Sequence, residues 1–125
     1  YKRQPKEEAK IIQWASFAQT TADRLILRQY VVQYMFNKDK DGNVIRDEID
    51  KAIKGFPKMF RILNDAVSSG YFGSYEFSMA DCFLMPILNS GQNFPEAKEA
   101  LESSEHLKKY FDTLSQRPSF ANTAP

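Results

Sequence analysis

The sequence has very little cysteine, no long apolar run and almost no excess of charge. One Cys among 125 residues excludes an internal disulfide and fits a protein of a reducing compartment such as the cytoplasm. No apolar run approaches the roughly 20 residues that span a bilayer. Seventeen basic and sixteen acidic residues give a net charge of +1, unlike the basic surface of a nucleic-acid-binding protein. The sequence therefore predicts a cytoplasmic domain that binds neither membrane nor nucleic acid.

Cys82 and His106 are the only residues of their kinds, and this limits metal chemistry. A zinc site of the Cys/His kind cannot be assembled from one Cys and one His, so we predict no metal centre of this kind. Cys82 begins an apolar stretch, which favours a small apolar side chain in the core. A thiol activated by a helix N-terminus is the alternative. His106 is predicted to lie at the surface.

What the sequence does contain is helical periodicity along its whole length. Apolar residues recur at steps of three and four, while no stretch alternates as a half-buried strand does. The predicted helices cover about residues 5–36, residues 47–67 with a kink or restart at Pro57, residues 79–89 with a bend at Pro86, a short segment opened by Pro95, and a last segment ending before Arg117. We therefore predict one domain over residues 1–125, an all-α bundle of about five helices.

The start of the third helix is the most sharply defined feature. Ser78 and Asp81 stand three residues apart, the spacing at which a Ser and an acidic residue form a capping box. An apolar run follows at once, so the helix is predicted to enter the core. Ser78 and Asp81 are thus expected to be structural N-cap residues, and Asp81→Ala should destabilise the protein.

Residues 37–48 approach the pattern of a calcium-binding loop. Asp39, Asp41 and Glu48 occupy ligand positions 3, 5 and 12, and Gly42 stands at the turn position. Asn37 departs from the pattern at position 1. The alternative is a polar turn between two antiparallel helices, in which Asp and Asn bond to the local backbone.

Several motifs together resemble one family. They are Phe72-Gly73, then Phe77-Ser78-Met79-Ala80-Asp81, then Pro86, and finally Arg117-Pro118-Ser119-Phe120. In this order they resemble the C-terminal helical domain of a glutathione transferase, and the resemblance covers essentially the whole chain. The segment Gln13-Trp14-Ala15-Ser16-Phe17 is similar to the start of that domain in bacterial members.

The resemblance implies a function that this chain shares with a second domain. Family members are cytosolic and commonly homodimeric enzymes, with glutathione as co-substrate and no separate cofactor. A preceding thioredoxin-like domain, absent from this chain, carries the residue that activates the glutathione thiol, so the catalytic residue is unknown here. The chain begins with Tyr, and we expect it to be a piece of a longer protein. The helical domain typically forms a wall of the pocket for an apolar electrophile and part of the dimer interface.

By position relative to Trp14, the resemblance assigns glutathione contacts to four residues of the first helix. In bacterial members the positions of Thr21 and Asp23 commonly hold Glu and His, so this chain departs at both. Two further residues are predicted to edge the substrate pocket, with core packing as the alternative. The four glutathione positions are Ser16, Thr20, Thr21 and Asp23, and the two pocket positions are Tyr30 and Met35.

These polar residues also have local interpretations. A Thr hydroxyl within a helix often bonds to a carbonyl one turn back, and Asp23 can pair with a neighbouring cation. The same fold also serves as a non-catalytic docking or dimerisation module. Residues 13–18 resemble the version in the gamma subunit of translation elongation factor 1, and some stress-response regulators keep the fold without binding glutathione.

Overall fold

The computed structural model describes residues 5–117, and within that range it contains helices and no strand. The elements are α1 (Pro5–Phe17), a π-helical segment (Ala18–Val31), α2 (Val32–Phe36), α3 (Asp47–Ile53), α4 (Phe56–Ala66), α5 (Met79–Gly91), α6 (Pro95–Glu102) and α7 (Glu105–Ser115). The predicted all-α bundle is confirmed. The motif at residues 118–120 lies outside the described residues.

The first predicted helix is continuous, but its middle is wider than an α-helix. Between α1 and α2 the backbone forms i→i+5 hydrogen bonds, the last of them from the Val32 amide to the Leu27 carbonyl. Ala18, Ala22 and Ile26 are fully buried at steps of four along this segment. The small alanine side chains let this π segment approach α5, against which it packs.

The second predicted helix is in fact two helices. Lys54 and Gly55 separate α3 from α4, and Pro57 occupies the first turn of α4, where a missing amide donor costs nothing. Gly55 lies against the π segment, since a Cβ there would stand 3.3 Å from the Leu25 side chain. The restart at Pro57 is therefore correct, and the break also allows a close approach to the first helix.

Helix α5 is the centre of the bundle. It contacts α1, the π segment, α6 and α7, and its inward face is built from apolar residues together with Asp81. Pro86 lies inside the helix on its exposed side, and the helix continues to Gly91. The start of α7 is fixed from another helix, because the Asn64 side chain accepts a hydrogen bond from the Leu107 amide at 2.9 Å.

Candidate functional site

The four predicted glutathione contacts lie on one stretch of the first helix, at the junction of α1 and the π segment. Ser16 and Thr20 are exposed, whereas Thr21 and Asp23 are half-buried. The Thr20 hydroxyl donates to the Ser16 carbonyl at 2.7 Å, as a Thr within a helix often does. The Ser16 side chain has no hydrogen-bond partner among residues 5–117. The structure thus brings these four residues together and leaves Ser16 available.

Asp23 is held by an ion pair that the π geometry makes possible. Its carboxylate accepts from Arg28 Nε at 3.1 Å, across five residues. In an α-helix, residues i and i+5 point about 140° apart, because each residue turns the helix by about 100°. The wider π turn brings these two side chains onto the same side of the helix. Asp23 therefore already has a partner within the chain.

Tyr30 and Met35, the predicted pocket residues, have very different surroundings. Tyr30 is 0% exposed, and its ring packs edge-on against Phe56 with the ring centres 4.8 Å apart. Met35 is 50% exposed. Tyr30 offers no accessible surface to a ligand in this chain, so its contacts support core packing. Met35 remains accessible.

Glu96 is the centre of a polar cluster that no motif in the sequence indicates. Its carboxylate accepts hydrogen bonds from the Tyr30 hydroxyl at 2.9 Å and from the Tyr34 hydroxyl, and it pairs with Arg46 at 3.2 Å. The Tyr30 hydroxyl in turn accepts from the Ala97 amide at 3.0 Å. The cluster connects the end of the first helix and the loop before α3 to the start of α6. Every oxygen of the carboxylate is engaged, so the cluster serves to hold these elements together.

The pKa values of this cluster follow from burial and hydrogen bonding. Burial and the neighbouring carboxylate raise the pKa of Tyr30 and of Tyr34. Partial burial alone would raise the pKa of Glu96, but hydrogen bonds from Tyr34, Tyr30 and Arg46 favour the carboxylate and lower the pKa below its ordinary value of 4.5. The unfolded chain therefore binds a proton at Glu96 at a higher pH than the folded chain does.

This difference predicts a pH dependence that Glu96→Gln should remove. Because the folded pKa of Glu96 is lowered, its contribution to stability is present above the unfolded pKa and is lost as the pH falls through the folded pKa. We expect the wild type to be more stable than Glu96→Gln at neutral pH, and the difference in free energy of unfolding to shrink as the pH falls below about 4.5. Urea titrations of both proteins across this range measure it. If the difference in free energy of unfolding between the two proteins stays constant with pH, the pKa of Glu96 is not lowered by folding.

Asp81 is the second polar centre, and it lies in the core. Its carboxylate is 0% exposed and accepts three hydrogen bonds, from the Ser78 amide at 2.8 Å, the Phe72 amide at 2.9 Å and the Tyr110 hydroxyl at 2.7 Å. The Ser78 hydroxyl completes the cap by accepting from the Ala80 amide at 3.2 Å. The predicted capping box is therefore present. Asp81 also fastens the preceding loop and α7 to the start of α5.

Burial has the largest effect on the pKa values of Asp81 and Tyr110. Desolvation raises the pKa of Asp81, although the amides of Phe72 and Ser78 and the Tyr110 hydroxyl all favour its charged form. Burial also raises the pKa of Tyr110, with the adjacent carboxylate acting in the same direction. The pair is surrounded by core side chains, and its observed contacts are structural.

The Phe72-Gly73 turn packs directly against the single tryptophan. Phe72 is fully buried, and its ring centre lies 5.1 Å from that of Trp14. Gly73 has φ = +72°, and a Cβ there would stand only 2.0 Å from Trp14 Cδ1. The aromatic-Gly pair thus joins the loop before α5 to helix α1.

In the loop at residues 37–48, the side chain of Asp39 bonds to the backbone of the loop itself. Asp39 Oδ1 accepts from the amides of Asp41 and Asn43, both at 2.9 Å, and Gly42 takes φ = +83°. Glu48 pairs with Lys51 at 3.2 Å. Within residues 5–117 no group of three Cys, His, Asp or Glu residues is arranged to hold a metal ion. The geometry is that of the polar turn, the alternative to a calcium loop.

Cys82 does not occupy the buried position that its apolar neighbourhood predicts. Its side chain is exposed rather than buried, because α5 turns its Asp81 face to the core and the neighbouring position outward. His106 is exposed, as predicted. Within the described range, none of the helices combines the length and apolarity needed to cross a lipid bilayer.

Comparison with known proteins identifies the family to which this fold belongs. The profile described as "Glutathione S-transferase, C-terminal domain" matches residues 25–118. The chain is also similar to glutathione transferase F7 from Populus trichocarpa, whose crystal structure superposes with a TM-score of 0.83 at 22% sequence identity. That match covers 96% of this chain and 56% of the poplar protein, so the chain spans little more than half the length of its structural relative. A search of curated protein sequences found no match. The chain belongs to the family of glutathione S-transferase C-terminal domains.

Proposed function

We propose that this chain is the C-terminal domain of a cytoplasmic, homodimeric glutathione transferase that conjugates or exchanges glutathione at an apolar electrophile. The observation that carries the proposal is the family match over residues 25–118, combined with the shared fold. A preceding thioredoxin-like domain in the full-length protein would supply the residue that activates the thiol. Glutathione is then a co-substrate, and no other cofactor is needed.

Within this proposal the first helix contacts glutathione through Ser16, Thr20, Thr21 and Asp23. The accessible hydroxyl of Ser16 supports this role, since it has no partner among residues 5–117 and lies one turn from Thr20. Met35, half of whose surface is exposed, is available to line the electrophile pocket. Tyr30 is buried and would support the wall of the electrophile pocket from within the core.

The test uses the full-length protein, with chlorodinitrobenzene as the electrophile. We expect Ser16→Ala to raise the KM for glutathione about fivefold with little change in kcat, because one hydrogen bond present in both ground and transition states is lost. The matched control is Ser103→Ala, because Ser103 is an exposed serine at the end of α6. An unchanged KM for glutathione in Ser16→Ala would remove Ser16 from the site. Full-length protein with no turnover would contradict the enzymatic function itself.

One observation favours a non-catalytic docking or dimerisation module instead. The Thr20 hydroxyl and the Asp23 carboxylate, two of the four predicted contacts, are already bonded within the chain at 2.7 and 3.1 Å. Thr21 also lacks the carboxylate found in bacterial members. A module of this kind would keep the fold and the homodimer but bind no glutathione. A measurement of glutathione binding therefore distinguishes it from the enzyme.

A further inference from the structure

The surface of the domain contains a cavity of about 610 Å³. It is bounded by α1, the end of α4 and the loop that leads to α5. None of Ser16, Thr20, Thr21 and Asp23 lines it. Its volume is within the range of sites that hold small molecules, about 300–1,000 Å³.

The α1 wall of this cavity carries hydrogen-bond donors that have no partner among residues 5–117. The ammonium groups of Lys6 and Lys10 form no ion pair there, and the indole N–H of Trp14 has no acceptor. The acidic residue of this wall, Glu7, already interacts with another residue of the chain. This wall therefore favours a ligand with an anionic or hydrogen-bond-accepting group.

The other walls carry the opposite charge. The side chain of Asp65, at the end of α4, and that of Glu76, in the loop before α5, also line the cavity and form no ion pair among the described residues. The serines between them are satisfied locally, for example Ser69, which donates to the Ser74 carbonyl at 2.7 Å. These walls favour a ligand with a cationic group.

Two aromatic rings complete the lining. Trp14 is half-buried, with part of its indole exposed to the cavity, and Tyr75 is 85% exposed and has no ring contact among residues 5–117. Aromatic faces of this kind stack well on another ring. We propose that this cavity binds a small zwitterionic molecule with an aromatic ring, such as a short aromatic peptide. Its carboxylate would face Lys6 and Lys10, and its ammonium group would face Asp65 and Glu76.

Trp14 provides a direct readout, because it is the only tryptophan of the chain. The probes are glycyl-phenylalanine, its N-acetylated form, which lacks the ammonium group, and its C-terminal amide, which lacks the carboxylate. Titrated into the full chain, the zwitterion should change the Trp14 fluorescence saturably, with a Kd of about 1 mM or tighter. Each analogue that lacks one charge should bind about fivefold more weakly, as expected for the loss of one exposed ion pair.

Variants separate the cavity from non-specific binding. The double variant Lys6→Gln/Lys10→Gln should bind glycyl-phenylalanine only as weakly as the wild type binds its C-terminal amide. Lys58 is an exposed lysine on α4 outside the cavity, so Lys58→Gln should leave the affinity unchanged. Circular dichroism of each variant checks that it folds. The proposal is overturned if no probe changes the fluorescence, if all three probes bind equally, or if Lys58→Gln weakens binding as much as the double variant. Glutathione turnover is not involved in any of these results.

Discussion

We expect Gly73→Ala to lower the free energy of unfolding by about 4 kcal/mol, the larger of two strong effects. Two penalties add at this position. A residue with a Cβ pays about 1–2 kcal/mol for the left-handed backbone, φ = +72° at Gly73. The new Cβ would also stand 2.0 Å from Trp14 Cδ1, so the indole must leave its contact with Phe72 at a cost of up to about 3 kcal/mol. Urea unfolding of the variant measures the sum.

Gly42→Ala is a matched control for the backbone penalty. Gly42 has a similar φ of +83°, but nothing lies within 4 Å of the position of its Cβ. This variant should therefore lose only about 1–2 kcal/mol. The difference between the two variants isolates the contact with Trp14. Equal losses would show that the Trp14–Gly73 contact does not stabilise the fold.

Asp81→Ala should have the second largest effect, about 3 kcal/mol. The substitution removes the cap of α5, worth about 0.5–2 kcal/mol, and leaves the Phe72 amide and the Tyr110 hydroxyl buried without an acceptor. Each such orphaned group costs about 1–3 kcal/mol. Removing a desolvated carboxylate offsets part of this loss, since burial raises the pKa of Asp81. Urea unfolding at neutral pH measures the result.

Asp112→Ala is the control for Asp81. Asp112 is an exposed residue of α7 whose only ion pair in the described range is with Lys108, at 3.0 Å. Such a surface pair contributes less than about 1 kcal/mol. If Asp81→Ala is no less stable than Asp112→Ala, the three hydrogen bonds to Asp81 do not hold the start of α5.

The parts of the fold that were predictable from sequence depend on local rules. The Ser78–Asp81 spacing specifies a capping box whatever lies around it, and Pro57 specifies a helix start by its missing amide. The π segment was not predictable, because Ala18, Ala22 and Ile26 also suit an α-helix. The segment packs against α5, a contact between residues far apart in sequence.

The candidate site shows the same division. The mid-helix hydroxyl bond of Thr20 and the ion pair of Asp23 are local and were among the predicted alternatives. The Glu96 cluster joins residues 50 to 66 positions apart, so no spacing in the sequence indicates it. The exposure of Cys82 could not be predicted, because an apolar neighbourhood does not fix which face of a helix a residue occupies. The inward face of α5 combines apolar residues with Asp81, which accepts a hydrogen bond from Tyr110, 29 residues away.

The central claim, that this domain serves a glutathione-dependent enzyme, is tested most directly by titrating glutathione into the full-length protein in a calorimeter. The account predicts saturable binding of one glutathione per subunit, with a Kd of about 1 mM or tighter. It also predicts that Ser16→Ala weakens this binding about fivefold while Ser103→Ala leaves it unchanged. Absence of binding at about 10 mM glutathione would contradict the enzymatic function and leave the docking or dimerisation module as the role of this fold.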